Sequence, residues 1–215
     1  GGYDGTSIVG HTEEWNADVA VGAWTTGGSV NTARDEAGSA QAGTQTAALI
    51  FSGYISASPP GISAITEIYN GTTWSEVNNI NTARENLCNS TAGSTTSGLI
   101  FGGYAGGATA ITEEWDGTNW TESGDLNSAA YEVAGTGTQT AAIRAGGNPR
   151  STNVEQYNGS SWTEITEINT AKTGASAAGL YTDALVFGGN IAPGGTNTAQ
   201  TEYWNGSSWT ELNDL

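Results

Sequence analysis

One histidine, His11, and one cysteine, Cys88, are the whole supply of imidazole and thiol in this chain. Nucleophilic catalysis of the Ser-His-Asp or Cys-His kind needs an imidazole to carry the proton beside its nucleophile. His11 stands in a variable segment, where it reads as an exposed loop residue. Zinc needs several His and Cys ligands, so the same shortage excludes it. The lone thiol excludes an internal disulfide and reads as buried and free. Calcium needs clustered oxygens, but Asp4, Asp18 and Asp35 are scattered and no Asp-x-Asp-x-Asp-Gly loop occurs. The Gly-rich stretches neither match a phosphate-binding loop nor open a helix. We therefore expect no catalytic residue, no metal and no cofactor.

Carboxylates, by contrast, are plentiful: 22 Asp and Glu face 5 Lys and Arg, for a formal net charge of -17. Such a surface repels phosphate backbones and anionic membranes, which excludes nucleic acid as a partner. No stretch approaches the roughly 20 apolar residues that would span a bilayer. The charges are also placed regularly. Glu13, Glu67, Glu113, Glu155 and Glu202 share one position of a recurring phrase, and Arg34, Arg84 and Lys172 share another. That regularity predicts structural work, as caps, strand-end hydrogen bonds or ion pairs between units.

The phrase itself sets the architecture. It reads TEEWNADVA from Thr12, TEIYNGTTW from Thr66, TEEWDGTNW from Thr112, VEQYNGSSW from Val154 and TEYWNGSSW from Thr201. Its aromatic anchors, Trp15, Tyr69, Trp115, Tyr157 and Trp204, follow one another at offsets of 54, 46, 42 and 47 residues. With no helical pattern, that period suits a four-stranded sheet in each repeat. We label its strands a to d. Strand a is built from small residues, and strand b is an apolar run ending in Gly-Gly, as in AALIFSGY, GLIFGGY and ALVFGGN. Strand c carries the Glu-x-aromatic phrase, and strand d begins at a Trp. Between c and d, Asn70-Gly71, Asp116-Gly117, Asn158-Gly159 and Asn205-Gly206 signal tight turns needing positive φ. The first unit departs, with Asn16-Ala17 and a longer connection to Trp24. All eight tryptophans, Trp15, Trp24, Trp74, Trp115, Trp120, Trp162, Trp204 and Trp209, fall at two repeat positions and are expected to pack between neighbouring sheets.

This arrangement resembles the kelch repeat, in which a strand ending in Gly-Gly is followed by a spaced Tyr and Trp. Gly102-Gly103, Trp115 and Trp120 carry the likeness in one unit, and Gly188-Gly189, Trp204 and Trp209 in another; Ser52 replaces the first glycine of a third. The Thr/Asn/Gly-rich wording is also similar to kelch-like repeats predicted in bacteriophage and environmental viral sequences. The resemblance implies a single all-β domain over 1-215, a five-bladed β-propeller of four-stranded antiparallel blades at 31-80, 81-126, 127-168 and 169-215, with a partial blade at 3-30. Strands a and b of that blade, some 19 to 21 residues by comparison with the other units, are expected from elsewhere, and the absence of methionine reads as a fragment or a processed chain. A neighbouring segment or molecule is the expected source of the missing hairpin.

Small residues on strand a fit the narrow axis of such a ring, and leave no acid or base on the channel wall except near Asp183. Kelch-type copper oxidases need several nitrogen and tyrosine ligands, and five-bladed glycosidases need inner-strand carboxylates. Neither set is visible, so an enzyme is not expected. Variation is concentrated in the b-to-c loops, which begin at Tyr3, Tyr54, Tyr104, Asn148 and Asn190. Aromatic rings beside Asn and Thr donors suit a sugar, apolar on one face and hydroxylated at its rim. The expectation is a non-catalytic, lectin-like binding module on a virion or cell surface, extracellular, contacting host glycan or protein. The competing expectation is a structural building block of a filament, fibre or capsid decoration, completed by a neighbour.

Overall fold

A computed structural model describes residues 2–16, 23–40, 43–55, 61–87 and 94–215. Cys88, Asp18, the turn after Asn16, the tip of the 54–65 loop and the side chains of Trp15 and Trp24 lie outside the described residues.

The described chain is all-β, without a helix. The second unit forms a four-stranded antiparallel sheet from Gly38–Ser39, Ala48–Phe51, Thr66–Tyr69 and Trp74–Val77. The fourth does so from Ala134–Thr138, Ala141–Ala145, Val154–Tyr157 and Trp162–Glu164. The fifth uses Ser176–Leu180, Asp183–Phe187, Thr201–Trp204 and Trp209–Glu211. In the third unit, strands b, c and d are Gly98–Phe101, Thr112–Trp115 and Trp120–Glu122. The first shows c and d alone, Glu13–Asn16 and Ala23–Thr26. Two of the b-to-c connections carry small hairpins of their own, Gly2–Tyr3 with Ile8–Val9 and Asn190–Ala192 with Thr196–Asn197.

The c-to-d turns of the second to fifth units are built the same way. Asn70 Oδ1 accepts the N–H groups of Thr72 and Thr73, and Asp116 Oδ1 those of Thr118 and Asn119. Positive φ falls on the glycine alone, near 91° at Gly71 and 94° at Gly117. The turns fix register, so Tyr69 opposes Trp74, Trp115 opposes Trp120, Tyr157 opposes Trp162 and Trp204 opposes Trp209.

Alternation along strand b then joins one sheet to the next. Leu49 and Phe51 pack with Ile100, Trp115 and Trp120 of the following unit. Leu99 and Phe101 meet Ala142, Tyr157 and Trp162. Ile143 and Ala145 meet Ala184, Val186, Trp204 and Trp209. Trp120 stands edge-on to Phe51 with centroids 5.1 Å apart, and Trp162 to Phe101 at 4.6 Å. Their indole N–H groups donate to Thr66 Oγ1 at 3.1 Å and Thr112 Oγ1 at 2.9 Å. Removing about 200 Å² of indole from water is worth about 5 kcal/mol at each site before ordering costs.

A buried charged frame holds each complete unit. Arg84 donates to Gly102 O and Ile111 O and pairs with Glu113, both side chains fully buried. Arg34 repeats this with Ile65 O and Glu67. The second oxygen of each glutamate accepts from an Asn backbone and side chain, at 2.7 and 2.9 Å for Asn31 and 2.7 and 2.8 Å for Asn81. Burial lowers the guanidinium pKa of Arg34 and Arg84, and the paired carboxylate opposes it. These pairs lie within a unit, joining the segment before strand a to strand c. In the fourth unit Ala130 occupies the cation's position, and Arg144 on strand b pairs with Glu155 instead. In the fifth, Lys172 Nζ is 3.0 Å from Glu202 Oε1 without a well-directed hydrogen bond.

Candidate functional site

The end of strand b decides where the variable loops begin. Ser52, Gly102, Gly146 and Gly188 have φ between 64° and 67°, and each following glycine is also left-handed. A Cβ at Gly147 would stand 2.3 Å from Val133 Cγ1, and one at Gly102 2.4 Å from Ala130 O. At Gly102 and Gly147 any side chain would collide with these neighbours. Ser52 adopts the same φ, and its hydroxyl is buried without a partner.

The turned chain doubles back on the segment before strand a. Tyr54 exchanges two backbone hydrogen bonds with Asp35, at 2.8 and 3.1 Å, and Tyr104 does so with Glu85 at 2.8 and 3.0 Å. Asn148 makes the same clamp with Tyr131, and Asn190 with Thr173. Four of the five residues picked from the sequence thus occupy equivalent, rigidly held places, one per unit. They do not share a single pocket. Tyr3 lies in the Gly2–Tyr3 hairpin and is 62% exposed. Tyr54 is exposed, and Tyr104 leans edge-on against Tyr131 with centroids 5.3 Å apart. The Asn190 side chain accepts from Arg150 Nη2 at 2.7 Å, which ties this loop to the preceding unit.

One residue beyond the clamp, Glu36, Asn86 and Glu132 all have φ near 50°, and Gly174 has 64°. Left-handed glutamates are uncommon and need local support. Here they link successive units: Asn86 Nδ2 donates to Glu36 Oε2 at 2.9 Å, Glu132 N–H to Asn86 O, and Gly174 N–H to Glu132 O. Thr173 Oγ1 donates to Glu132 Oε2 at 2.7 Å.

The described a strands themselves carry no carboxylate, and the acids stand just before them. Just before strand a, Glu36 feels the charges of Asp35 and Glu132, and Glu85 those of Glu36 and Asp35. Burial, Asp35 and Glu132 hold the Glu36 carboxyl above the usual range, against the Asn86 hydrogen bond. Burial, Glu36 and Asp35 raise Glu85. The signal was in the repeat alignment, since Asp35-Glu36, Glu85-Asn86 and Tyr131-Glu132 follow the aligned cation position directly. Next to these residues, Asn86, Glu132, Gly135, Gly174, Ser176 and Ala177 line a polar cleft of about 270 Å³. A shallower opening shares Glu132 and reaches Thr173, Asn190 and Asn197.

Carboxylate acceptors, amide donors and aromatic edges along one end of the sheets suit a polyhydroxylated or cationic ligand. Among the described residues, no group of three or more His, Cys, Asp or Glu is arranged to hold a metal ion. No protein-family model and no curated protein matches the chain.

Proposed function

We propose that the chain is a kelch-like, five-bladed β-propeller, its first blade represented by strands c and d, and that it serves as a non-catalytic binding module on a virion or cell surface. Its b-to-c loops at Tyr3, Tyr54, Tyr104, Asn148 and Asn190 recognise glycan or protein. The observation that carries this reading is the backbone clamp, repeated from Tyr54–Asp35 to Asn190–Thr173, which holds loops of differing sequence in one orientation on rigid sheets beside a carboxylate-rich end. Weak sites repeated on successive blades add through multivalency.

The test is binding of the purified chain to immobilised glycans and to host-surface extracts. Binding that falls about tenfold or more in Tyr54→Ala and Tyr104→Ala, with unchanged thermal melting, supports the reading. Binding to neither, or binding indifferent to both substitutions, removes it.

A further inference from the structure

Among the described residues, Arg150 is the one cation outside a buried ion pair. It stands in the b-to-c connection of the fourth unit, NPRSTN, the shortest of the five. Its side chain is half-buried and firmly held. Nε donates to Asn190 O at 3.2 Å, and Nη2 donates to Asn190 Oδ1 at 2.7 Å and Ala192 O at 2.9 Å. These acceptors are all neutral, so they fix the guanidinium without cancelling its charge. Nη1 has no acceptor among the described residues. An arginine fixed on one side and open on the other meets a carboxylate at little ordering cost.

Beside it lies an opening of about 290 Å³, lined by Ser128, Ala129, Pro149, Arg150, Ser151 and Asn153, with buried Arg144 also at its wall. No carboxylate lines it, in a chain that carries 22. Glu155 is neutralised by Arg144, and Glu167 accepts from the Thr152 hydroxyl at 2.8 Å. The two serines are set up as donors. Ser151 Oγ accepts the Asn153 N–H at 2.8 Å, and Ser128 Oγ accepts from Asn153 Nδ2 at 3.3 Å. A hydroxyl that already accepts still has its own proton to give, and neither gives it to a described residue. Ala129 and Pro149 add apolar surface.

One fixed cation, two hydroxyl donors and an apolar wall match a pyranose ring that bears a carboxylate. Asn190, which holds Arg150, also lines the neighbouring opening with Thr173, Asn197, Thr198 and Glu132. Amides and hydroxyls there suit the hydroxyls of an adjoining neutral sugar. Glu132 would repel a second carboxylate, which counts against a peptide of clustered acids.

We propose that the opening beside Arg150 is a subsite for a carboxylated sugar, whose carboxylate accepts from Arg150 Nη1 and the Ser128 and Ser151 hydroxyls. Its ring lies on Ala129 and Pro149. The inference deepens the glycan reading of the b-to-c loops and rests on it. The net charge of -17 repels anions at long range, but at 0.15 M salt the screening length is about 8 Å, so the local donors decide.

The probes are immobilised glucuronyl- and sialyl-terminated oligosaccharides, and the same oligosaccharides with the carboxylate reduced to an alcohol. The purified chain should bind the acidic forms at least about tenfold more tightly. Arg150→Gln should erase that preference. Ala129→Glu should erase it too, by placing a like charge on an exposed part of the wall while leaving Arg150 intact; thermal melting confirms that each variant is folded. Equal binding of acidic and reduced forms, or a preference that survives both substitutions, overturns the subsite and leaves glycan recognition by the loops standing. Preference for an acidic peptide over every acidic glycan overturns it in favour of a protein ligand. Binding to no glycan at all removes the subsite together with the glycan reading.

Discussion

Arg144 and Glu155 lie directly opposite one another on adjacent strands, and the guanidinium reaches the carbonyls that Arg34 and Arg84 reach from before strand a. Its Nη1 donates to Gly146 O at 3.0 Å, the counterpart of Arg84 to Gly102 O at 2.9 Å. The cation has moved along the chain while its destination has stayed. Arg144→Ile should therefore leave Glu155 buried without its partner and cost about 3–5 kcal/mol in urea unfolding. Adding Ala130→Arg should recover most of that loss. No recovery would mean that the two backbone positions are not interchangeable.

Lys172 occupies the Arg34 and Arg84 position with a point charge. Its ammonium meets Glu202, but it makes none of the directed carbonyl bonds that the guanidinium makes in other units. Lys172→Arg would bring the fork within reach of Gly188 O and Gln200 O, the equivalents of Gly102 O and Ile111 O. It should stabilise the chain by about 1 kcal/mol, and Arg84→Lys should cost at least as much. Denaturation midpoints of the two variants check both signs.

The contrast between these two cations shows what the sequence discloses. Strands b and c were legible because apolar alternation and Gly-Gly or Asn-Gly punctuation agree; AALIFSGY becomes Ala48–Phe51 followed by a left-handed pair. Lys172 was legible by alignment. Arg144 was not, because it interrupts an apolar strand, and its partner emerges only when register places Glu155 opposite. The carboxylate cluster escaped for another reason. Small residues on strand a directed the reading to the strand itself, whereas Glu36 and Glu132 sit just before that strand, in a left-handed turn that aims them toward neighbouring units. The short hairpins within the 2–9 and 190–197 segments have no alternation long enough to read.

Glu36 and Glu85 set a pH dependence whose sign follows from burial and mutual repulsion. Their folded-state pKa values are raised above the ordinary 4.5, so the folded chain binds more protons than the unfolded one. Their favourable contribution is present below pH 4.5 and is lost as pH rises through the folded-state values. Asp4 and Asp116, whose pKa values are lowered by turn N–H groups, act below their ordinary 3.8 and outside this window. Tm should fall as pH is raised from about 4.5 to 7. Glu36→Gln should raise Tm at pH 7 and flatten the profile, keeping a hydrogen-bonding side chain beside Asn86. A profile that rises toward neutrality, or one unchanged by the substitution, would contradict this account.

Salt should stabilise the chain. Four of the five cations are engaged in buried pairs with four of the 22 carboxylates, which leaves eighteen carboxylates to Arg150 alone. Arg150 is itself turned onto Asn190 and Ala192. Compacting these like charges costs free energy that mobile ions relieve, since the screening length falls from roughly 30 Å at 0.01 M to about 8 Å at 0.15 M. The buried pairs exclude solvent and are little affected. Raising sodium chloride over that range should increase stability by about 1 kcal/mol, or roughly 2–4 °C in Tm for a chain of this size. The increase should be larger at pH 7 than at pH 4.5, where many carboxylates are protonated. Destabilisation by salt at pH 7 would show instead that exposed attractive pairs, rather than repulsion, dominate the surface.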